Sequence, residues 1–242
     1  MTACDAWAGL TLPLVCLLLL VIAAIQGPHQ RHARVTREGG TAFLGEPLMH
    51  WGYTWIDRLA RLALWFKLSP TSVSWLSLLL GLGAGLGMAK GHFGLAAWLL
   101  ALSGLGDGMD GAMARLQGKA TRRGAVLDSA LDRYVEFFCL AGLIYFYRGV
   151  IEVQMVALVA LFGSFMVTYS TAKAEALSVK PPRGWMKRPE RLVWLIGGAA
   201  LASALPLAGC SGRPVLVAVL ALIAVIANLS AIIRLFALSR SV

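Results

Sequence analysis

Seven apolar runs leave this chain little choice of fold. They are Leu10–Ile25, Val73–Met88, Phe93–Leu105, Val126–Phe146, Ile151–Lys173, Leu192–Leu205 and Val215–Ile233. A backbone surrounded by hydrocarbon must satisfy its own N–H and C=O groups, and a helix does so within one segment. Residues are 58% hydrophobic and only 14% charged, and mean hydropathy is +0.73, which excludes an ordinary soluble domain. At 242 residues the chain has room for about six or seven spanning helices of roughly 20 residues each. The expectation is an all-α polytopic membrane bundle forming a single domain.

The charge distribution orients that bundle. Net charge is +10, yet no nucleic-acid recognition module accompanies it, and cytoplasmic loops of membrane proteins collect Lys and Arg. If the segment between the third and fourth runs is cytoplasmic, the outer loops hold only Lys90, Arg148 and Arg213. The other 19 of the 22 basic residues then lie in or near cytoplasmic segments. Leu10–Ile25 has Asp5 before it and Arg31, Arg34 and Arg37 after it, the opposite polarity to a signal peptide. It reads as a first spanning helix that enters a polar cytoplasmic loop, Gln26–Gly45. Cys4, Cys16, Cys139 and Cys210 form no paired spacing, so neither a disulfide framework nor a zinc site is expected.

Glu46–Leu68 is of another kind. Leu48, Trp51, Trp55, Leu59, Leu62 and Phe66 recur at helical steps, interrupted by Asp57, Arg58, Arg61 and Lys67. That pattern predicts an amphipathic helix lying in the interface, anchored by Trp. Ser69-Pro70 breaks the chain, and Thr71 or Ser72 can cap the next helix.

Chemistry is concentrated in Asp107–Asp132, DGMDGAMARLQGKATRRGAVLDSALD. Four of the chain's twelve acids, Asp107, Asp110, Asp128 and Asp132, fall in these 26 residues between apolar runs. Charge beside a membrane segment is costly, and facing carboxylates repel unless cations neutralise them. Asp107 and Asp110 are three apart, as Asp128 and Asp132 are four apart, so each pair shares a helix face. Leu116–Arg123 can turn the chain, giving an antiparallel hairpin whose acidic faces meet. Oxygen ligands alone favour Mg²⁺, Mn²⁺ or Ca²⁺, and two ions suit in-line attack at phosphorus. Arg115 and Arg123 are either counterions of the acids or phosphate ligands.

The pattern Asp107-x₂-Asp110-Gly111-x₂-Ala114-Arg115-x₈-Gly124-x₃-Asp128-x₃-Asp132 resembles, at every fixed position, the signature of the CDP-alcohol phosphotransferases. The resemblance covers about Trp51 to Ile233. It implies a six-helix core in residues 46–242, with residues 1–45 contributing an additional spanning helix and loop. It implies transfer of a phosphatidyl group from a CDP-linked lipid to an alcohol, with release of CMP. By the same resemblance Asp107, Asp110, Asp128 and Asp132 ligate Mg²⁺ or Mn²⁺, two ions to a site, and Asp132 is the base. Gly111, Ala114, Arg115, Thr121 and Gly124 lie along the CDP-lipid, and Thr71, Ser72, Val73 and Ser74 close over the cytidine. A homodimer in a bacterial plasma membrane, with its active site facing the cytoplasm, is the implied setting.

A second basic cluster precedes the sixth run: Lys173, Lys180, Arg183, Lys187, Arg188 and Arg191. Ala172-Lys173-Ala174-Glu175 and Arg188-Pro189-Glu190-Arg191-Leu192 resemble the inositol-phosphate branch of the family. The resemblance makes Lys173, Arg188 and Arg191 the acceptor-binding residues and inositol phosphate the favoured acceptor. Glycerol 3-phosphate and serine are the rivals. A cation-coupled transporter is the alternative class, but such proteins place their acids near the bilayer midplane.

Overall fold

The structure, a computed structural model, describes residues 3–26, 46–179 and 184–240. The loop expected over residues 26–45 lies outside it beyond Gln26, as do Lys180 and Arg183. The described residues form α1 (Ala3–Gln26), α2 (Glu46–Trp65), α3 (Pro70–Lys90), α4 (Phe93–Leu116), α5 (Arg122–Phe146), α6 (Ile151–Ala176), α7 (Arg188–Ala204) and α8 (Arg213–Ser239). A short 3₁₀ turn, Leu205–Ala208, extends α7.

Local chemistry sets the boundaries. Ser69, and not the expected Thr71 or Ser72, caps α3 by accepting from the Ser72 N–H, and Pro70 opens the helix, where its missing N–H costs nothing. The same helix stops at Gly91, whose φ of 78° puts it in the left-handed region. Thr121 caps α5 through the Gly124 N–H at 3.0 Å. Glu190 reaches back to the Lys187 N–H at 3.2 Å and caps α7.

Among the described residues, five helices are long and apolar enough to cross a membrane: α1, α3, α6, α7 with its 3₁₀ extension, and α8. The chain is an integral membrane protein. The expected third and fourth spans differ in composition. Each apolar run continues without a break into the acidic motif, so α4 and α5 carry their charges inside helices of 24 and 25 residues. Helix α3 packs against both of them, whereas α4 and α5 are not closely packed on each other. The expected hairpin is therefore splayed, and its partners meet through acidic side chains rather than along a packed seam.

Close crossings hold α3 to α5. A Cβ on Gly142 would lie 2.2 Å from the Gly85 carbonyl oxygen, and one on Gly85 would lie 2.4 Å from that of Phe138. Small residues at such crossings let the backbones approach. We expect Gly142→Leu to push α5 off α3 and to lower the melting temperature in detergent by several degrees; an unchanged melt would mean the crossing is looser than described.

Helix α1 belongs to the packed body. Its Asp5 accepts from the Leu95 N–H at 3.0 Å at the start of α4, and Trp98 donates to the Ala8 carbonyl at 2.9 Å. Helix α2 adds a protein-facing side to the expected amphipathic helix. Trp51, Ala60 and Ala63 are buried, and Ile56 and Leu64 pack with Val73, Ala112 and Met113 in a small second core. Leu62 and Phe66, on the apolar face expected of an interfacial helix, are exposed on the protein. A helix between a bundle and lipid has two apolar faces, and periodicity does not say which one meets protein.

Candidate active site

Asp107 and Asp110 come from α4, Asp128 and Asp132 from α5, and the four converge where those helices splay. Asp107, Asp128 and Asp132 each offer a carboxylate oxygen within 4.8 Å of the others. Asp110 is buried beside them, and its carboxylate accepts a short hydrogen bond from the Ser74 hydroxyl of α3. Three clustered carboxylates need positive charge. Arg188, at the first position of α7, supplies one such charge: its Nη1 lies 2.8 Å from Asp107 Oδ2 and its Nη2 2.5 Å from Asp132 Oδ1. The donor set is entirely oxygen, closely spaced and anionic, which fits a hard divalent ion such as Mg²⁺ or Mn²⁺.

A cleft of about 740 Å³ opens from the acids. Asp110 and Asp128 stand at its edge, and Thr71, Ser74, Gly111, Ala114, Arg115, Thr121 and Gly124 line it, together with Lys67 and Lys119. The starts of α3 and α5 both face this space. Helix N-termini and cations favour phosphate there. Because the Thr121 oxygen accepts from the Gly124 N–H, its own O–H is left to donate to a ligand oxygen. A Cβ at Gly111 would come 3.2 Å from Arg115 Nη1, so the glycine leaves the guanidinium room over the cleft floor. Two expected members of the cytidine segment fall elsewhere. Ser72 closes the cap of α3 through Ser69, and Val73 is buried in the second core. Their side chains point to helix start and core because one helical turn cannot aim four successive side chains at one ligand.

The three expected acceptor residues separate. Arg188 is at the acids. Lys173 is exposed in the last turn of α6 and lines neither the cleft nor the small cavity around the carboxylates. Arg191 is only 1% exposed, and its placement in an open acceptor pocket is corrected: it makes a two-pronged pair with Glu136, at 2.5 Å and 2.9 Å. One turn of α7 separates Arg188 from Arg191 and aims them at different acids. The residue that sequence reasoning missed is Glu136. It continues the four-residue step of Asp128 and Asp132 on α5, and that step was the available signal.

A profile of the family described as CDP-alcohol phosphatidyltransferase matches residues 67–229, which contain every acid of the cluster and all of the cleft lining but Leu64. This chain belongs to that family. Among its relatives, a phosphatidylinositol phosphate synthase of Mycobacteroides abscessus is 38% identical over 109 residues, covering 44% of this chain and 48% of the relative. One from Corynebacterium glutamicum is 31% identical over 151 residues, 60% of this chain and 69% of the relative. The chain thus spans about half the length of the Mycobacteroides relative. Solved structures of the Mycobacterium tuberculosis phosphatidylinositol phosphate synthase share the fold at 29% identity. The one with CDP-DAG bound has a TM-score of 0.68 and covers 76% of this chain and 92% of that one. The one with manganese and citrate has a TM-score of 0.69, with 76% and 88% covered. Family membership agrees with a helical membrane fold whose acids gather at one end of the bundle.

Proposed function

We propose that this protein transfers the phosphatidyl group of CDP-diacylglycerol to an inositol phosphate, releasing CMP. The observation that carries the reading is the junction of the phosphate-favouring cleft with the Asp107–Asp128–Asp132 cluster and Arg188. Support also comes from the relatives, which include phosphatidylinositol phosphate synthases, and from the CDP-DAG and manganese bound to the Mycobacterium tuberculosis relative.

In this reading the nucleotide end of the donor lies in the cleft. Arg115 and the Thr121 hydroxyl hold its phosphates, and Ser74 keeps the Asp110 carboxylate turned towards the cluster. Asp107, Asp110, Asp128 and Asp132 would hold Mg²⁺ or Mn²⁺, which supplies positive charge to the pyrophosphate and to the departing CMP. Asp132 takes the proton of the acceptor hydroxyl as its oxygen bonds to the phosphatidyl phosphorus. The phosphorus–oxygen bond to CMP then breaks, and CMP leaves with the bonding pair. A carboxylate is a weak base for an alcohol, so that proton moves late. Arg188, bonded to Asp132, stands where it can also meet a phosphate on the acceptor, and a guanidinium suits that group. Residues 46–242 form the catalytic membrane domain, α1 is an added helix docked on it, and the site faces the cytoplasm of a bacterial cell. A homodimer belongs to the same reading.

The test is CMP release by purified protein from CDP-diacylglycerol with Mg²⁺ or Mn²⁺, adding inositol 1-phosphate, inositol, glycerol 3-phosphate or serine singly. Inositol 1-phosphate is expected to stimulate release most. Greater stimulation by one of the others would overturn the acceptor while leaving the reaction class. No release with any acceptor would overturn both.

A further inference from the structure

We propose that the buried Glu136–Arg191 pair is a positioning element that sets Arg188 between Asp107 and Asp132 and thereby gives the site its affinity for a phosphorylated acceptor. The acceptor part of this inference rests on the reading under Proposed function.

The geometry is a two-rung ladder between α5 and α7. Asp132 and Glu136 are one turn apart on α5, and Arg188 and Arg191 are one turn apart on α7. The outer rung is Asp132–Arg188, partly open, with the two side chains 20% and 23% exposed. The inner rung is Glu136–Arg191, with side chains 7% and 1% exposed. The outer rung borders the cluster and must exchange partners with anything that binds there. The inner rung is sealed, and its planar fork admits one orientation of α7 about its axis.

Arg191 also fastens the approach to α7. Its Nη1 donates to the Met186 carbonyl at 2.5 Å. Met186 has a φ of 55°, a conformation that costs a side-chain-bearing residue energy and persists only where surroundings hold it. The Met186 side chain is buried in the main core, and the neighbouring Trp185 carbonyl accepts from Ser230 of α8 at 2.7 Å. Arg188 follows Met186 by two residues. Both the turn before it and the helix turn after it are therefore held by groups that do not touch the acids themselves.

A buried ion pair is a weak source of stability, since apolar residues of similar volume often replace it at no loss. Orientation is what apolar residues cannot supply. The paired variant Glu136→Leu/Arg191→Met separates the two roles. It strands no buried charge, though it frees the Met186 carbonyl, and is expected to melt much closer to the parent in detergent than either single variant. Its KM for inositol 1-phosphate is expected to rise by roughly 10–100-fold, the usual cost of losing a group that orients a ligand-binding residue. Its KM for CDP-diacylglycerol is expected to stay within about twofold, because neither Glu136 nor Arg191 lines the cleft.

A second readout is independent of turnover. Arg188 holds positive charge against two of the clustered carboxylates, so Arg188→Gln should tighten Mn²⁺ binding by roughly tenfold, measured by the fall in the free Mn²⁺ spin-resonance signal. The paired variant, with Arg188 no longer held in place, should shift in the same direction. Parental Mn²⁺ affinity in a folded paired variant would overturn the proposal, and so would a parental KM for inositol 1-phosphate. A parent protein that turns over with no phosphorylated acceptor would instead sink the reading of the function, and the Mn²⁺ comparison would still decide whether the pair positions Arg188.

Discussion

Asp128→Asn is expected to remove at least about a thousand-fold of CMP release, since fixed charge at a developing phosphoryl centre is the largest single contribution that a site of this kind makes. Asp128 belongs to the carboxylate triplet and also borders the cleft, so it is shared by the proposed metal site and the proposed donor site. The amide keeps the size of the side chain but removes the anionic oxygen. The fold should survive: three acids crowd this point, and taking one charge away relieves repulsion. The melting temperature in detergent is expected to equal or exceed the parent's. Retained turnover in the folded variant would remove Asp128 from the catalytic machinery, whereas a variant that fails to fold would show that the acid braces α5.

Arg191→Ala is expected to act in the opposite way, on stability first. It leaves Glu136, 7% exposed, without its bonded guanidinium in a low-dielectric interior, with Arg188 the nearby cation that remains, and also frees the Met186 carbonyl. Breaking one partner from a buried pair costs about 3–5 kcal/mol, a large part of the margin of a typical domain. A detergent melt should fall by many degrees, far more than for Lys173→Ala, whose side chain is exposed. Equal melting of Arg191→Ala and parent would mean that water reaches Glu136, and the Glu136–Arg191 rung would then carry no positional argument. The comparison with Glu136→Leu/Arg191→Met is informative because that variant removes the same guanidinium without stranding the acid.

The Mn²⁺ and acceptor measurements join these two effects. Arg188 shares Asp107 and Asp132 with whatever cation binds there, so metal affinity and acceptor affinity are linked through one side chain. Linkage of this kind is reciprocal. A phosphorylated acceptor that draws Arg188 towards itself should raise Mn²⁺ affinity by the same factor by which Mn²⁺ raises acceptor affinity.

Helix positions could be read directly from the chain. The apolar run Ile151–Lys173 became Ile151–Ala176, and Val215–Ile233 became Arg213–Ser239, because a helix in lipid is specified by the length of its own apolar run. The acids were legible for a related reason. Asp107 with Asp110, and Asp128 with Asp132, lie within one turn of each other, so local periodicity alone places each pair on one face. The cap of α3 was misplaced by a few residues: Thr71 or Ser72 was expected, and Ser69 makes it because Pro70 occupies the first helical position.

The cation partners were of another kind. Arg188 reaches Asp107 across 81 residues and Arg191 reaches Glu136 across 55. Nothing in the spacing of the basic cluster distinguishes an arginine facing a cleft from one sealed between two helices. That choice depends on how α7 is rotated against α5, which is set by packing over the whole bundle. The inward face of α2 was settled the same way, by Ala60 and Ala63 fitting against Val73 and Met113. Which segments become helices and which acids share a face were written in the residues, because both are properties of one turn of chain. Which arginine neutralises which acid, and which apolar face meets protein, had to wait for the folded molecule, because those depend on neighbours distant in sequence.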